Sequence, residues 1–339
     1  MHIEELETPA IVVDLDVLER NISSLADYCR RSNLNLRPHT KTHKIPEIAR
    51  MQVNAGSRGI TVAKVGEAEV MAAAGMDDIL VHYPIFGRSK LERLAYLARD
   101  RKIILAIDSV ITAEAISNAA ASVGSTIHLL VEFDSGLHRC GVESPEAVEN
   151  LAHVITRLPN VTFAGISTFP GHIWSDPAEQ ALPLAEVSAM IADIKDRLQH
   201  SGLACEIVSA GSTPIARNSH LIEGVTETRP GTYVFNDRNT AGVGACTWDD
   251  CALHILVTRE HSRAGPRNRR RRLKDILERS MDIGRKDRVR AHHRAPGCRF
   301  RVYVRGTRPS RSRDLGLFSD CRRSADHHSQ SRLPLRQHA

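Results

Sequence analysis

The amino-acid sequence predicts an α/β fold, a (β/α)8 barrel of the TIM type. Apolar, β-branched runs alternate with segments of helical periodicity, in seven or eight units over the first two-thirds of the chain. The length of 339 residues allows one barrel-sized domain. No Gly-x-Gly-x-x-Gly follows the first predicted strand, which argues against the main rival, a doubly wound open sheet.

Strand and helix signals in the first half of the chain follow one another closely. The first helix repeats apolar residues at helical spacing from Val17 to Cys29, the second begins at Pro46, and Gly75 ends the third. The predicted strands are 11–13, 34–36, 59–63, 78–82 and 102–108, and the predicted helices are 15–31, 46–54, 65–74, 90–99 and 111–123.

The second half continues this alternation. The predicted strands are 126–133, 161–168 and 204–208, and the predicted helices are 145–157 and 180–198. Polar, glycine-bearing loops follow several of these strands. In a barrel the loops after the strands carry the chemistry, so they are where candidate functional residues are expected.

Charge divides the chain into two parts. Residues 1–259 carry a net charge of −9 and residues 260–339 carry +15. The seven cysteines are an odd number at scattered spacing, so no disulfide framework is expected and the cytoplasm is the expected compartment. No apolar run is long enough to span a bilayer, and acidic residues come directly after the first residues, so we expect neither a membrane segment nor a signal peptide.

Lys41 is the first candidate catalytic residue. It lies in the basic stretch 37–44, between a predicted strand and a predicted helix, where a barrel enzyme keeps its active site. A lysine can form a Schiff base with an aldehyde if burial and neighbours lower its pKa, and His39 and His43 are close in sequence. Spacing leaves open whether Lys41 or Lys44 reacts, and a solvated basic turn is the alternative.

Two later loops add further candidates. In loop 134–142, glycine allows close backbone approach, and Arg139 is a planar cation suited to an oxyanion such as a phenolate. After strand 161–168, Phe169 precedes His172, a candidate proton carrier or substrate contact. An ordinary turn with a surface arginine and a solvated histidine are the alternatives.

A phosphate site is predicted from two loops near the end of the barrel. The stretch 209–214 is small and hydroxyl-rich and contains Gly211, as in loops that bind phosphate through backbone N–H groups. A second glycine turn, 229–237, contains Gly231 and Tyr233. Phosphate loops after late strands are common in barrels. Together with a reactive lysine they indicate a phosphorylated aldehyde cofactor.

Seven motifs occur in order along the chain: TPAIVVDLDVLERNI, LRPHTKTHK, GITVAKVGEAEV, GMDDILVHYP, DSGLHRCGV, SAGSTP and ETRPGTYVFND. On these motifs, from about Thr8 to Asp250, the chain resembles the fold-type III pyridoxal-phosphate enzymes of the D-threonine aldolase and D-serine dehydratase group, distant relatives of alanine racemase. Several ordered matches are more specific than any one of them.

The resemblance implies that Lys41 holds pyridoxal 5'-phosphate (PLP) as a Schiff base and that Arg139 lies near the phenolic oxygen of the cofactor. It implies a phosphate site built by a set of small residues, with a tyrosine beside it: Gly211, Ser212, Thr213, Gly231 and Tyr233. Members of the family usually carry a tyrosine where Phe169 stands, so a hydroxyl contact is expected to be missing or supplied otherwise.

Family members also bind a divalent metal, zinc or manganese, through a histidine and a second ligand two positions later in a C-terminal β-domain. Residues 260–339 instead are rich in arginine and have almost no apolar periodicity. Allowed codons for residues 260–280 and 326–338, read one base later, both give family-like motifs, the second with His-Val-Cys. We therefore predict a one-base frame change between about residues 253 and 260.

This frame change defines the predicted domains. Residues 8–250 form the PLP-binding barrel, and residues 251–339 form an aberrant tail, expected to be disordered, in place of the β-domain. The tail residues His327, His328, Cys298 and Cys321 are assigned no metal, because they are by-products of the shifted frame. A disordered nucleic-acid-binding arm is the alternative reading of the tail.

The resemblance implies a lyase that acts on D-β-hydroxy amino acids, with D-threonine cleaved to glycine and acetaldehyde. Dehydration of D-serine or 3-hydroxyaspartate is the alternative. A racemase would need a second base opposite the lysine, for which no clear candidate is seen. A non-catalytic PLP-binding protein and an inactive frameshifted product are further alternatives. The expected partner is a small D-amino acid, with no nucleic acid or membrane, and a homodimer is an open expectation.

Overall fold

The computed structural model describes residues 6–258 and the backbone of Val302–Arg305. Strand β1 precedes a parallel sheet of eight strands, whose order is β2-β9-β8-β7-β6-β5-β4-β3. The strands are β1 (Ala10–Val13), β2 (Asn35–Leu36), β3 (Ile60–Val62), β4 (Asp78–Val81), β5 (Lys102–Ile107), β6 (Ile127–Glu132), β7 (Val161–Thr168), β8 (Ile207–Ala210) and β9 (Glu227–Thr228).

The sheet closes on itself just beyond β2. His39 pairs with Thr61 in a parallel bridge, and the Thr61 N–H donates to the carbonyl of Pro38 at 2.8 Å. The first and second strands of the sheet are thereby joined, while β2 also pairs with β9. The predicted barrel is confirmed.

Helices follow the strands around the outside. They are α1 (Leu15–Arg31), α2 (Pro46–Asn54), α3 (Val65–Ala73), α4 (Arg88–Leu97), α5 (Val110–Val123), α6 (Pro145–Arg157), α7 (Ala181–His200) and α8 (Arg238–Gly242). Short polar side chains begin several of them, such as Asp14 before α1 and Ser144 before α6, each accepting a backbone N–H of the first turn. Gly124, at φ +66°, ends α5 in the left-handed conformation.

The two faces of each strand enter different environments. In β4, Ile79 and Val81 belong to the large apolar cluster between sheet and helices, while Leu80 belongs to a small cluster on the other face with Ile104. Alternation with a period of two produces this division. It leaves few positions inside the barrel, and several of those hold charged side chains.

A second unit of the chain lies before Val13 and after Leu253, and the barrel unit spans Val13–Leu253. Strands β10 (Leu253–Thr258) and β11 (Val302–Arg305) pair in parallel, and β1 lies on the other side of β10. The first residues of the predicted tail thus form a strand, because the sequence there is still apolar and β-branched. His327, His328, Cys298 and Cys321 lie outside the described residues. No helix in residues 6–258 is long and apolar enough to cross a membrane.

Candidate active site

Lys41 lies in a single turn of 3-10 helix, Thr40–Thr42, directly after β2. The ring of His39 accepts the backbone N–H of Lys41 at 3.4 Å, and the buried hydroxyl of Thr40 donates to the carbonyl of Thr61 at 3.1 Å. Lys44 has φ +55° and its ammonium pairs with Glu67 at 3.2 Å. The structure therefore favours Lys41 as the reactive lysine, because Lys44 is held in an exposed ion pair.

The surroundings of the Lys41 amine favour its neutral form. Burial by neighbouring groups lowers the pKa of Lys41, and the cations of Arg139 and Arg229 lower it further, against an opposite effect of Glu67. Lys41 is exposed to solvent at the barrel mouth, and water screens the charges that act on its amine. An amine with a lowered pKa is a better nucleophile near neutral pH.

Phe169 lies close to two cations of the mouth. The Lys41 ammonium is 5.8 Å and the Arg139 guanidinium carbon 4.7 Å from the centre of its ring. Gly171 permits this position, because a Cβ there would collide with the Phe169 ring. The three predicted residues Lys41, Arg139 and Phe169 are thus brought together from loops that are far apart in sequence.

The loop that carries Arg139 is organised by Asp134. Its carboxylate accepts the backbone N–H groups of Gly136 at 2.9 Å and His138 at 3.1 Å, and these bonds keep the pKa of Asp134 below its usual value although burial acts to raise it. The ring of His172 packs on Gly136, where a Cβ would approach it to 3.1 Å. Burial lowers the pKa of His172. His172 therefore contacts the Arg139 loop, at the edge of the site.

The predicted phosphate loops form a cradle of close backbone contacts. Gly211 has φ +146°, and a Cβ there would collide with the Thr228 hydroxyl and lie 3.1 Å from the backbone nitrogen of Arg229. A Cβ on Gly231 would lie 2.9 Å from the carbonyl oxygen of His39, in the turn before Lys41. Both positions therefore require glycine.

Ser212 gives this cradle an unused polar group. Its hydroxyl is buried and has no hydrogen-bond partner among the described residues. Thr213 follows, and its carbonyl accepts the N–H of Ala216 at 3.2 Å, which starts the next helical turn. A buried hydroxyl without a partner is costly unless a ligand satisfies it, so the loop fits a phosphate group.

Tyr233 was predicted to lie beside the phosphate. The structure places its side chain in the wall of the barrel. Its side chain packs in an apolar cluster with Leu25 and Cys29 of α1, and its hydroxyl accepts the side-chain amide of Gln52 at 2.9 Å. Burial raises the pKa of the Tyr233 hydroxyl. The hydroxyl is thus bonded to a residue of α2, and its place beside the phosphate stays a prediction.

Arg229 is a site residue that the sequence did not single out. It is buried and donates to the carbonyl of Thr168 at 2.7 Å, to the hydroxyl of Ser209, and to the ring of His82 at 3.0 Å. Burial lowers the pKa of Arg229 to about 10, so it remains a cation at neutral pH. Burial and the nearby Arg229 hold the pKa of His82 well below its usual value, so this ring is neutral.

Two carboxylates complete the polar interior. Glu132 is buried, its pKa is raised by burial, and it accepts the thiol of Cys140 at 3.2 Å. Glu227 accepts the Ser209 hydroxyl at 2.6 Å and both of its oxygens lie within 3.1 Å of the Arg37 Nε. The signal that could have found these residues is a charged or polar side chain at the end of an otherwise apolar strand.

The site residues fit PLP better than they fit a metal. The Lys41 amine, whose pKa is lowered, matches an aldehyde. The Ser212 hydroxyl without a partner and the turns at Gly211 and Gly231 match a phosphate. Within residues 6–258 no group of three His, Cys, Asp or Glu side chains could hold a metal ion. The metal expected from the resemblance therefore has no ligand set in the described part of the chain.

Comparison with known proteins agrees with this geometry. Residues 13–239 match the family described as alanine racemase, N-terminal domain. The chain is 35% identical over 260 residues to D-threonine aldolase of an Arthrobacter species, covering 75% of this chain and 68% of that one. It is 36% identical over 256 residues to D-threo-3-hydroxyaspartate dehydratase of Delftia strain HT23, covering 75% and 67%.

A solved structure gives the same picture. The crystal structure of D-threonine aldolase from Filomicrobium marinum matches with a TM-score of 0.72 and 32% identity, over 77% of this chain and 72% of that one. The matched region is thus about three-quarters of this chain.

Proposed function

Since the chain belongs to the alanine racemase N-terminal domain family, we propose that it is a PLP-dependent lyase acting on D-β-hydroxy amino acids, with D-threonine cleaved to glycine and acetaldehyde. The observation that carries this proposal is the Lys41 amine, of lowered pKa, held in a turn next to Gly231. The similarity to D-threonine aldolase supports the choice of substrate. We expect the protein to act in the cytoplasm on a free D-amino acid.

The residues of the chain divide the work between binding and proton movement. Gly211, Ser212 and Gly231 would hold the phosphate, and Arg139 would bind an anionic oxygen next to the Lys41 amine. When bound, PLP supplies an electron sink for charge that develops on the substrate's α-carbon. The Lys41 amine, close to that carbon, would carry a proton to or from it.

The buried network holds one arginine, Arg229, in its charged form. Arg229 donates hydrogen bonds to three partners, one of which is the neutral ring of His82. Arg139 lies in the loop after β6, 4.7 Å from the centre of the Phe169 ring. A mouth with these fixed cations attracts an anionic cofactor and a substrate carboxylate.

A dehydratase is the second candidate, because the identity to D-threo-3-hydroxyaspartate dehydratase is 36%, against 35% to the aldolase. Both reactions begin on the same α-amino group and β-hydroxyl, so the barrel residues named above serve either one. The frame change, the metal and the homodimer stay predictions.

The test of the cofactor proposal compares Lys41→Ala with Lys44→Ala. We expect the wild-type protein and Lys44→Ala to take up PLP with visible absorbance, and borohydride to fix the cofactor on the peptide that contains Lys41. Lys41→Ala should lose the absorbance and the fixed adduct. Equal labelling of Lys41→Ala, or label on another lysine of the wild-type protein, would refute the proposal.

Product analysis separates the two reactions. With D-threonine, an aldolase releases glycine and acetaldehyde. With D-serine or 3-hydroxyaspartate, a dehydratase releases an α-keto acid and ammonia. Each assay should be run with added Zn²⁺ or Mn²⁺, on the chain as written and on a frame-restored version, because the expected metal ligands lie beyond the barrel.

A further inference from the structure

Three buried polar side chains lie in line behind the Lys41 turn. His43 ends the turn, Gln52 lies on α2, and Tyr233 lies on the turn that follows Gly231. Gln52 is fully buried, and its amide nitrogen donates to the Tyr233 hydroxyl at 2.9 Å. None of these side chains is explained by the chemistry of the barrel mouth.

Hydrogen bonding fixes the tautomer of His43. Its Nδ1 accepts the backbone N–H of Ile45 at 3.0 Å, and burial lowers the pKa of His43 to about 4, so the ring is neutral and carries its proton on Nε2. Gln52 lies close to this ring and acts to raise the pKa of His43 against the effect of burial. The His43 Nε2 and the Gln52 side-chain oxygen make no standard hydrogen bond to any described residue.

The three residues connect the two halves of the cofactor site. The Lys41 turn and the Gly231 turn also touch directly, because the His39 N–H donates to the carbonyl of Pro230 at 3.0 Å. The ring of His43 packs edge-on against Phe235 at 6.4 Å between ring centres. The side of the turn that faces away from the mouth is therefore held by the same segment that supplies Gly231.

We infer that His43, Gln52 and Tyr233 form a relay of buried contacts, in which His43 lies beside Gln52 and Gln52 bonds to Tyr233, that fixes the Lys41 turn relative to the Gly231 turn. The relay so sets the distance between the reactive amine and the phosphate site. In this role they are positioning residues, whose polar groups bond to one another or to the backbone. The inference rests on the proposed PLP site. PLP must reach the Lys41 amine and the phosphate site at the same time, whereas pyridoxal, which lacks the phosphate, must reach only the amine.

The distinguishing measurement is the affinity of the protein for PLP divided by its affinity for pyridoxal. Tyr233→Phe removes only the hydroxyl, and Gln52→Met removes both polar contacts at similar volume. We expect each to lower the ratio about tenfold, which corresponds to the loss of one buried hydrogen bond. The double variant should lower it no further than the larger single effect, because both changes interrupt one relay.

Tyr28→Phe is the matched control. The Tyr28 hydroxyl also bonds to a histidine, His220 Nδ1, at 2.7 Å, but its partner lies on the turn after β8 and not beside Lys41. We expect Tyr28→Phe to leave the ratio at the wild-type value. Its melting temperature, measured with those of the relay variants, shows whether general destabilisation changes the ratio.

Each outcome has one meaning. A wild-type protein without a borohydride-fixed adduct on Lys41 would overturn the proposed function. A wild-type protein with the adduct, and relay variants whose ratio equals that of Tyr28→Phe, would overturn the relay alone. A ratio that falls in the relay variants and not in Tyr28→Phe supports it.

Discussion

The two faces of the barrel strands differ sharply in chemistry. Outward residues such as Ile79, Leu129 and Val131 form a continuous apolar cluster under the helices. The inner face has only a small apolar cluster, and next to it lie the buried charges of Arg37 and Glu227. Side chains on both faces are buried, so burial alone does not decide which residue types a strand can carry.

The difference lies in pairing. Arg37 is fully buried, and it donates to Glu227 and, at 2.5 Å, to Asp78. Glu227 keeps the pKa of Arg37 raised against the effect of burial, and Asp78 adds to this. A buried charge with good partners is tolerated, whereas the loss of one partner leaves an uncompensated charge. The stability of the outer face depends on how well its apolar side chains pack, and the stability of the inner face depends on whether each buried charge has a partner.

Arg37→Met should have the largest effect on stability. It leaves Glu227 and Asp78 without their cation, so we expect the free energy of unfolding to fall by about 3–5 kcal/mol. PLP affinity should fall too, because Glu227 holds Ser209, which holds Arg229. Urea unfolding and PLP titration measure both.

The control for that variant is Arg88→Met, which removes an arginine from an exposed pair with Glu92. Its unfolding midpoint should equal that of the wild-type protein. If Arg37→Met were as stable as Arg88→Met, the inner ion pairs would not carry the stability assigned to them.

Leu129→Ala tests the outer face and should have the next largest effect. Leu129 is fully buried between sheet and helices, and its truncation should lower the free energy of unfolding by about 2–5 kcal/mol. PLP affinity of the folded protein should stay at the wild-type value, since the Leu129 side chain packs under the helices and not at the barrel mouth. A parallel loss of PLP affinity in native buffer would contradict the separation of the two faces.

The smallest effect concerns His43, a polar group within the apolar wall. The unfolded chain binds a proton at a normal histidine pKa near 6.5, whereas the folded chain binds it only near 4. The unfolded state therefore holds more protons in this window, and stability falls as the pH is lowered from 6.5 to 4. The contribution of His43 is at most about 1.4 kcal/mol per pH unit.

The measurement is the slope of unfolding free energy against pH for wild type and His43→Gln. We expect a shallower slope for His43→Gln between pH 6 and 4.5. Identical slopes would show that His43 titrates normally in the folded protein.

The regular elements of the barrel were predictable from the sequence because their signals are local. Apolar alternation and helical periodicity predicted the strands near β3 to β7 and the helices α1 to α6 within a few residues. The predicted strand 204–208 is displaced, since β8 covers Ile207–Ala210. The two-residue strand β9 has no periodicity to detect, and it is a strand only because β2 and β8 lie beside it.

The candidate site was predictable in part for a similar reason. Lys41, Arg139 and Gly211 stand in loops whose composition is unusual by itself. Arg229 and His82 stand in stretches of ordinary composition, and a single polar residue at the end of a strand has many explanations other than a functional site. Their importance depends on being 3.0 Å apart across 147 positions of sequence.

The sequence by itself determined the barrel, the position of the lysine turn and the glycines of the phosphate loops, because each depends on local backbone preference or on strand and helix periodicity. Only the tertiary structure decided that Lys44 is paired with Glu67, that Tyr233 faces Gln52, and that Arg229 lies near the Lys41 amine. Those outcomes depend on which strands become neighbours when the sheet closes, and closure brings together side chains that no local pattern relates.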